Sequence, residues 1–468
     1  MRRRIRAGLL AAAACCVVLP AFGVPGAGAE TTAKTRATGA GAPATAGAAS
    51  TAGAPASAGA ARTAGAPAAA GAPASAGAAR TAVPAAPALP VTGAALYVPE
   101  TGQFLYADNL DRHLAIASTT KLMTALIVLE HVHHLTTVFT QNDWYPAAED
   151  SQLGLVPGER MSVHDLLEAM MLPSDDDAAE DLAYNVGHGS VTRFVAMMNA
   201  EAQKLGLHDT HYSTPIGLDT PGNYSSPGDL VRLADYDLTH SPFFARMVAL
   251  KSAVIDAGGQ SETIVNRNDL VSQYSWIDGV KTGHTTDAGY VLVAAGHRDG
   301  MSLISSVLGT SSPAERDASS LTLLDYGFEN FVLRTPVRAN EPLGHSSVHD
   351  QPSVRADVVA SRGFRWVLPR ADRVDVRVQV PKQLTGPLPA QAVVGTATVA
   401  AGGRVLARIP LVLAHSLPAV SGLTLAARFV TRPMTLVVLA AVALGGWFWR
   451  GARRRRRADR QGREVKAA

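Results

Sequence analysis

The pattern of hydrophobic and polar positions opens with two short runs rich in apolar and aromatic residues, 94–98 and 103–106, split by the turn Pro99-Glu-Thr-Gly102. Two such runs about a turn predict a β-hairpin. A longer apolar pattern follows. After Ala117-Ser-Thr-Thr-Lys121 an apolar stretch runs through Leu129 and predicts a helix ending near His131. Ser162-Val-His-Asp165 reads as the cap of a helix over 165–172. Further helices are predicted over 178–186, 191–205 and 230–238, with 212–229 rich in Gly, Pro and loop. Residues 276–279 lead into a strand that bears Lys281. Strands over 289–296 and 301–309 bracket the turn Arg298-Asp-Gly300, and 318–328 reads as a closing helix. Strands, then helices, then strands in one unit predict an α+β domain with a mainly antiparallel sheet, spanning 91–338. Residues 339–418 show only short alternating runs, at 374–380, 393–400 and 404–412, with Gly402-Gly403 as a hairpin turn. They predict a small all-β domain with no titratable constellation, suited to spacing or docking.

The two ends carry a different pattern. Met-Arg-Arg-Arg-Ile-Arg6, an apolar run over 7–24 and Ala27-Gly-Ala29 read as a secretory signal peptide over 1–29. Both cysteines, Cys15 and Cys16, fall inside it, so the expected mature chain has no disulfide, thiolate metal site or cysteine nucleophile. Residues 30–90 are almost entirely Ala, Gly, Pro, Ser and Thr. The string from Gly53 to Ala64 recurs from Gly71 to Ala82, and nothing bulky is present to bury, so this is an expected disordered spacer. Residues 433–449 are uncharged and rich in Leu, Val and Ala, with Trp447 and Trp449 at one end; as a helix they measure ~26 Å. The Arg453–Arg457 cluster follows at once. A basic cluster beside a span marks the cytoplasmic side. The expectation is a single transmembrane helix over 433–449, a cytoplasmic tail over 450–468 and the bulk of the chain outside the cell membrane.

Charge agrees with that division. The net charge is +3, but residues 450–468 hold nine Lys and Arg against two Asp and Glu, and the first six residues hold four Arg. The remainder is therefore net −8. An acidic ectodomain excludes a nucleic-acid-binding role.

Candidate chemistry centres on Ser118 and Lys121. A serine hydroxyl needs a base within hydrogen-bond reach to act as a nucleophile. Residues i and i+3 share a helix face, so Lys121 projects beside Ser118, and free N–H groups at the helix start can stabilise developing negative charge. Two downstream stretches, Ser174-Asp-Asp176 and Lys281-Thr-Gly283, complete the order of motifs found in β-lactamases and penicillin-binding proteins. His131, His133 and His134 have no carboxylate at ligand spacing and suit the C-terminal end of a helix without a metal. No metal or cofactor is expected.

Ala117-Ser-Thr-Thr-Lys-Leu-Met-Thr-Ala125, Met171-Leu-Pro-Ser-Asp-Asp-Asp-Ala-Ala179 and Gly279-Val-Lys-Thr-Gly-His-Thr285 resemble the serine-type D-alanyl-D-alanine carboxypeptidases, the low-molecular-mass penicillin-binding proteins. Tyr326-Gly-Phe328, the β-rich second domain and the C-terminal anchor fit as well, so the resemblance covers about residues 91–449. It implies a penicillin-binding-protein/β-lactamase-like transpeptidase fold: a sheet flanked by helices, with the serine helix bordering a helical subdomain. It also implies roles. Ser118 attacks the carbonyl between the two terminal D-alanines of a peptidoglycan stem peptide, and β-lactams acylate the same serine. Lys121 takes its proton, which requires a neutral amine; burial and the Lys281 cation favour that form. Ser174 relays a proton to the leaving amine. Lys281 and Thr282 hold the substrate's terminal carboxylate, aided by Arg316. Backbone N–H groups of Ser118 and His284 form the oxyanion hole, and Gly283 permits close approach.

One position departs from the resemblance. The family has asparagine where this chain has Asp176, and a carboxylate accepts hydrogen bonds but does not donate them. Beside Lys121 it favours the charged ammonium, unless it pairs with Lys281 or stays protonated. Two other readings follow: a wall-binding protein that holds stem peptides without cleaving them, and a class A β-lactamase. The latter calls for a deacylating glutamate in a Glu-x-x-Leu-Asn setting, and Glu201-Ala-Gln-Lys-Leu205 lacks the asparagine.

Overall fold

The computed structural model describes residues 85–464 apart from 148, 149, 350 and 421. The expected signal peptide, both cysteines and nearly all of the expected spacer lie outside the described residues.

The predicted hairpin forms from β1 (Gly93–Val98) and β2 (Gln103–Asp108). The chain then enters a single 3-10 turn, Ala117–Thr120, which passes directly into α1 (Lys121–His131). Four helices follow: α2 (Val163–Met171), α3 (Asp176–Val186), α4 (Val191–Lys204) and α5 (Pro227–His240). Ser162, Ser190 and Ser226 cap α2, α4 and α5, each accepting from the backbone N–H three residues on. A short helix, α6 (Pro242–Val248), and a hairpin over Ser252–Ala257 and Gln260–Val265 were not predicted. The hairpin's outward positions are largely polar, so its alternation is weak. Then come β3 (Ile277–Thr285), β4 (Gly289–Arg298), β5 (Met301–Thr310) and α7 (Pro313–Asn330).

The five strands form one antiparallel sheet in the order β2-β1-β5-β4-β3. Alternation splits their side chains between two cores. Leu96, Leu292, Leu303 and Val307 pack with Leu323, Leu324 and Phe328 of α7. Ala95, Val291, Val293 and Ile304 face the helical side, with Leu122, Ile127, Leu167 and Leu230. Strand β3 is an edge, and beyond it lies the turn that bears Ser118. The placement is tight at Gly283, where a Cβ would come within 2.8 Å of the Ser118 amide nitrogen.

The remainder is all-β as far as residue 419, as expected. Strand Phe331–Val337, which the sequence grouped with the catalytic unit, pairs with Phe364–Pro369. A six-stranded sheet surrounds a core of Val337, Val358, Val399, Ile409 and Leu411. The C-terminal helix Pro433–Glu464 is twice as long as the predicted span, because the arginine cluster continues the same helix. Its residues Pro433–Ala458 are long and apolar enough to cross a membrane. A further helix, Gly422–Thr431, precedes it.

Candidate active site

Ser118 sits on the 3-10 turn, half-exposed, where Ala117 before it adopts a left-handed φ of 48°. A non-glycine residue there is held by its surroundings rather than by its own preference. Gly217 packs against the Ala117 carbonyl with a φ of 96° and leaves no room for a side chain. One turn on, Lys121 is fully buried, and its Nζ donates to Ser118 Oγ at 3.3 Å, Ser174 Oγ at 3.3 Å and the Ser174 carbonyl at 2.9 Å. Its remaining partner is Asp176 Oδ1. Ser174, also left-handed at φ 74°, ends the loop between α2 and α3 and turns its hydroxyl to the lysine. Thus serine, second serine and aspartate converge on one lysine amine.

Of the two pairings open to Asp176, the structure has the one with Lys121. Burial pushes the Asp176 carboxyl up, and the Lys121 ammonium pulls it back. An ion pair removed from water is held only when its geometry compensates for the lost hydration. Asp176 also belongs to a run of buried acids that begins at Asp175. Burial raises Asp175 to about 7, Glu180 to about 7 and Asp181 to about 6. Asp177 serves the backbone instead. Its carboxylate accepts N–H groups of Leu153, Gly154 and Leu155 at 2.8–3.0 Å and thereby fixes the 151–156 loop against α3.

Lys281, 1% exposed on β3, donates to the Thr282 carbonyl at 3.1 Å. Burial first, then the Lys121 and Arg267 charges, hold it well below the usual lysine range. An incoming carboxylate would favour its charged form.

A cleft of about 790 Å³ opens over this group. Ser118, Ser174, Asp176, Thr282, Gly283, His284 and Arg316 line it, so seven of the nine predicted residues meet there. Lys121 and Lys281 lie beneath. Arg316, in the first turn of α7, is largely buried and also bonds Asp317 at 2.8 Å. Three contributors carried no sequence signal: the 216–219 segment, Asp150-Ser151, and Arg267, whose guanidinium reaches Ser151 Oγ. The nearest thing to a signal was Gly217, in a stretch read only as loop. Tyr290 stacks on His284 with ring centroids 4.0 Å apart. Glu201 is not in this cleft; on α4 it pairs with Lys204 at 3.0 Å, and no glutamate is among the described residues that line the cleft.

For metals, the described residues bring His164, Asp165 and Glu168 together. The imidazole meets Asp165 through Nδ1 and Glu168 through Nε2, opposite sides of the ring, so the carboxylates bracket it rather than converge with it on an ion. His131 Nδ1 donates to the Ile127 carbonyl at 2.8 Å, the helix-end role expected of it.

A family model described as D-alanyl-D-alanine carboxypeptidase matches residues 82–312, and one described as penicillin-binding protein 5, C-terminal domain, matches 331–419. The chain is 32% identical over 333 residues to the D-alanyl-D-alanine carboxypeptidase DacD of Escherichia coli, covering 68% of this chain and 84% of that one. It is 29% identical to DacF of Bacillus subtilis, covering 68% and 83%. Penicillin binding protein 5 from Haemophilus influenzae has a similar structure, with a TM-score of 0.60 at 29% identity, covering 71% of this chain and 98% of that one. The Streptomyces K15 DD-transpeptidase aligns with a TM-score of 0.50 at 34% identity over 52% and 98%.

Proposed function

The chain belongs to the D-alanyl-D-alanine carboxypeptidase family, and from that premise we propose that Ser118 is the nucleophile with which it removes the terminal D-alanine of peptidoglycan stem pentapeptides. The observation that carries this is the convergence of Ser118 Oγ and Ser174 Oγ on the buried Lys121 amine, each at 3.3 Å, under a cleft that both serines line.

The substrate lies along the open edge of β3, where main-chain groups not used by β4 are free to pair with an extended peptide. Lys281, Thr282 and Arg316 receive its terminal carboxylate, and carboxylate binding keeps Lys281 charged. Ser118 Oγ attacks the penultimate carbonyl carbon as Lys121 Nζ takes the hydroxyl proton. The Ser118 and His284 amides stabilise the resulting oxyanion. Ser174 passes a proton to the leaving nitrogen, the C–N bond breaks, and D-alanine departs from an acyl-ester on Ser118. Water then attacks the ester and restores the serine. A β-lactam enters by the same first step and stays as the acyl-enzyme.

The helix over Pro433–Ala458 anchors the enzyme in the cell membrane as a single pass, with the catalytic unit outside and the arginine cluster on the cytoplasmic side. An N-terminal signal peptide directs that export. A second reading, a wall-binding protein of weak activity, is favoured by one feature, the Lys121–Asp176 pair. Release of D-alanine from a pentapeptide, compared between the wild type and Ser118→Ala, tests both. The expected loss is at least about a thousandfold. Equal release by the two proteins removes the nucleophile assignment, and none from either leaves the binding reading.

A further inference from the structure

Helix α1 has a second functional-looking end. Nine residues beyond Lys121, or ~13 Å along the axis, a cavity of about 430 Å³ opens between the last turns of α1 and α5 and the start of α6. That volume suits a small ligand. Leu126, Leu129, Val132 and Phe244 give it apolar walls.

Asp237, on α5, is part of the same wall. It is 1% exposed, and neither of its carboxyl oxygens has a hydrogen-bond partner. Its backbone carbonyl accepts from Ser241 N at 3.1 Å. A buried carboxyl with no partner is exceptional, since leaving one unsatisfied costs several kcal/mol in general. The buried Tyr212 hydroxyl is also without a partner, and burial first, then the Asp237 and Asp229 charges, push it up.

The groups around Asp237 do not neutralise it. Glu130 faces the cavity from α1 and adds a second carboxyl, pushing Asp237 further upward after burial has done so. Lys204 on α4 touches Glu130 only at 3.7 Å and is engaged more closely by Glu201, at 3.0 Å. His133 and His240 stand at the exposed rim, and His240 is stacked on Tyr236 at 3.9 Å. No lysine or arginine lines the cavity.

We propose that this cavity is a binding site for a small organic ammonium ion with an apolar body, its head on Asp237 and Glu130 and its body against Leu126, Leu129, Val132 and Phe244. Apolar walls alone would accept any hydrophobe; the unpartnered Asp237 carboxyl, with Glu130 beside it reached only by the exposed Lys204, selects a positive one. Asp237 gives up its proton to solvent as the ammonium arrives, and the pair forms in the buried wall. The site is separate from the catalytic cleft, with which it shares only the helix.

Calorimetric titration of the full chain in detergent with benzylammonium, and with benzyl alcohol as the neutral probe of the same shape, tests this. Saturable one-site binding of benzylammonium is expected, with proton release seen as a dependence of the heat on the buffer's ionisation enthalpy. Asp237→Asn, which keeps the shape, is expected to weaken binding at least about tenfold, and Leu129→Trp to abolish it by filling the cavity. Benzylammonium binding no tighter than benzyl alcohol overturns the proposal, with no variant needed. Unchanged affinity in both variants overturns it too.

Discussion

The catalytic unit and the β-rich region that follows it solve the problem of a core in opposite ways. Between residues 93 and 330 the interior holds Lys121, Lys281, Asp175, Asp176, Asp177, Glu180, Asp181 and Arg316. Beyond Phe331, Ser346 is the one buried polar residue among those described, and Val337, Val358, Val399, Ile409 and Leu411 close the core. Buried charge weakens a fold unless each group is paired or neutral. Much of it lies in and under the catalytic cleft, where the chain gives up stability for chemistry, and its absence among the described residues after 331 marks a region built to hold its shape.

This contrast is breakable by mutation. The largest effect is expected at Asp177. Truncating it strands three backbone N–H groups of the 153–155 loop, that of Leu155 buried, so Asp177→Ala should cost about 4 kcal/mol, read by denaturant unfolding, and also slow acylation by a fluorescent penicillin. A loss of stability below about 1 kcal/mol would mean that the loop is held by something else. In the β region Ile409→Ala should cost about 3 kcal/mol through a cavity, with the penicillin acylation rate unchanged. A change in that rate would make the two regions one functional unit.

Asp176 comes next. A carboxylate on Lys121 favours the ammonium over the amine that must act as base, and an amide does not. Asp176→Asn should therefore speed penicillin acylation at pH 7 by about tenfold and move the acid limb of the pH–rate profile downward. A slower mutant at every pH would show the aspartate to be an adapted part of this site.

The smallest effect is on thermal stability. Asp175, Glu180 and Asp181 have folded-state values raised to about 7, 7 and 6, above their unfolded values. The folded chain then binds more protons than the unfolded one between about pH 4 and pH 7. Their contribution is complete below that window and is lost as pH rises through it. The melting temperature should fall from pH 5 to pH 7.5, and Glu180→Gln should flatten the slope. A melting temperature that rises over this range would show these carboxyls to be ionised and paired.

Much of this molecule is written locally. The hairpin of β1 and β2, the Ser162-capped α2 and the strands β4 and β5 follow from short apolar runs, turns and side chains three residues apart, and were legible in the chain, as were α4 and α5 without their caps Ser190 and Ser226. Ser118 beside Lys121 is of the same kind, since one helical turn sets their distance. Three motifs at three separate places also named the chemistry, because serine-lysine, a second serine triplet and lysine-threonine-glycine in that order have few other uses. What joins them is not local. Ser174 and Asp176 reach Lys121 across 53 and 55 residues, and whether Asp176 would meet Lys121 or Lys281 was open until the packing of α3 against α1 decided it. Arg267, Asp150 and Gly217 joined the cleft from segments with no period and no motif. The partner of strand 331–337 was likewise undetermined, since an edge accepts any strand of matching alternation. Sequence spacing sets which side chains share a turn; only the closing of long loops around a common core sets which charges share a proton.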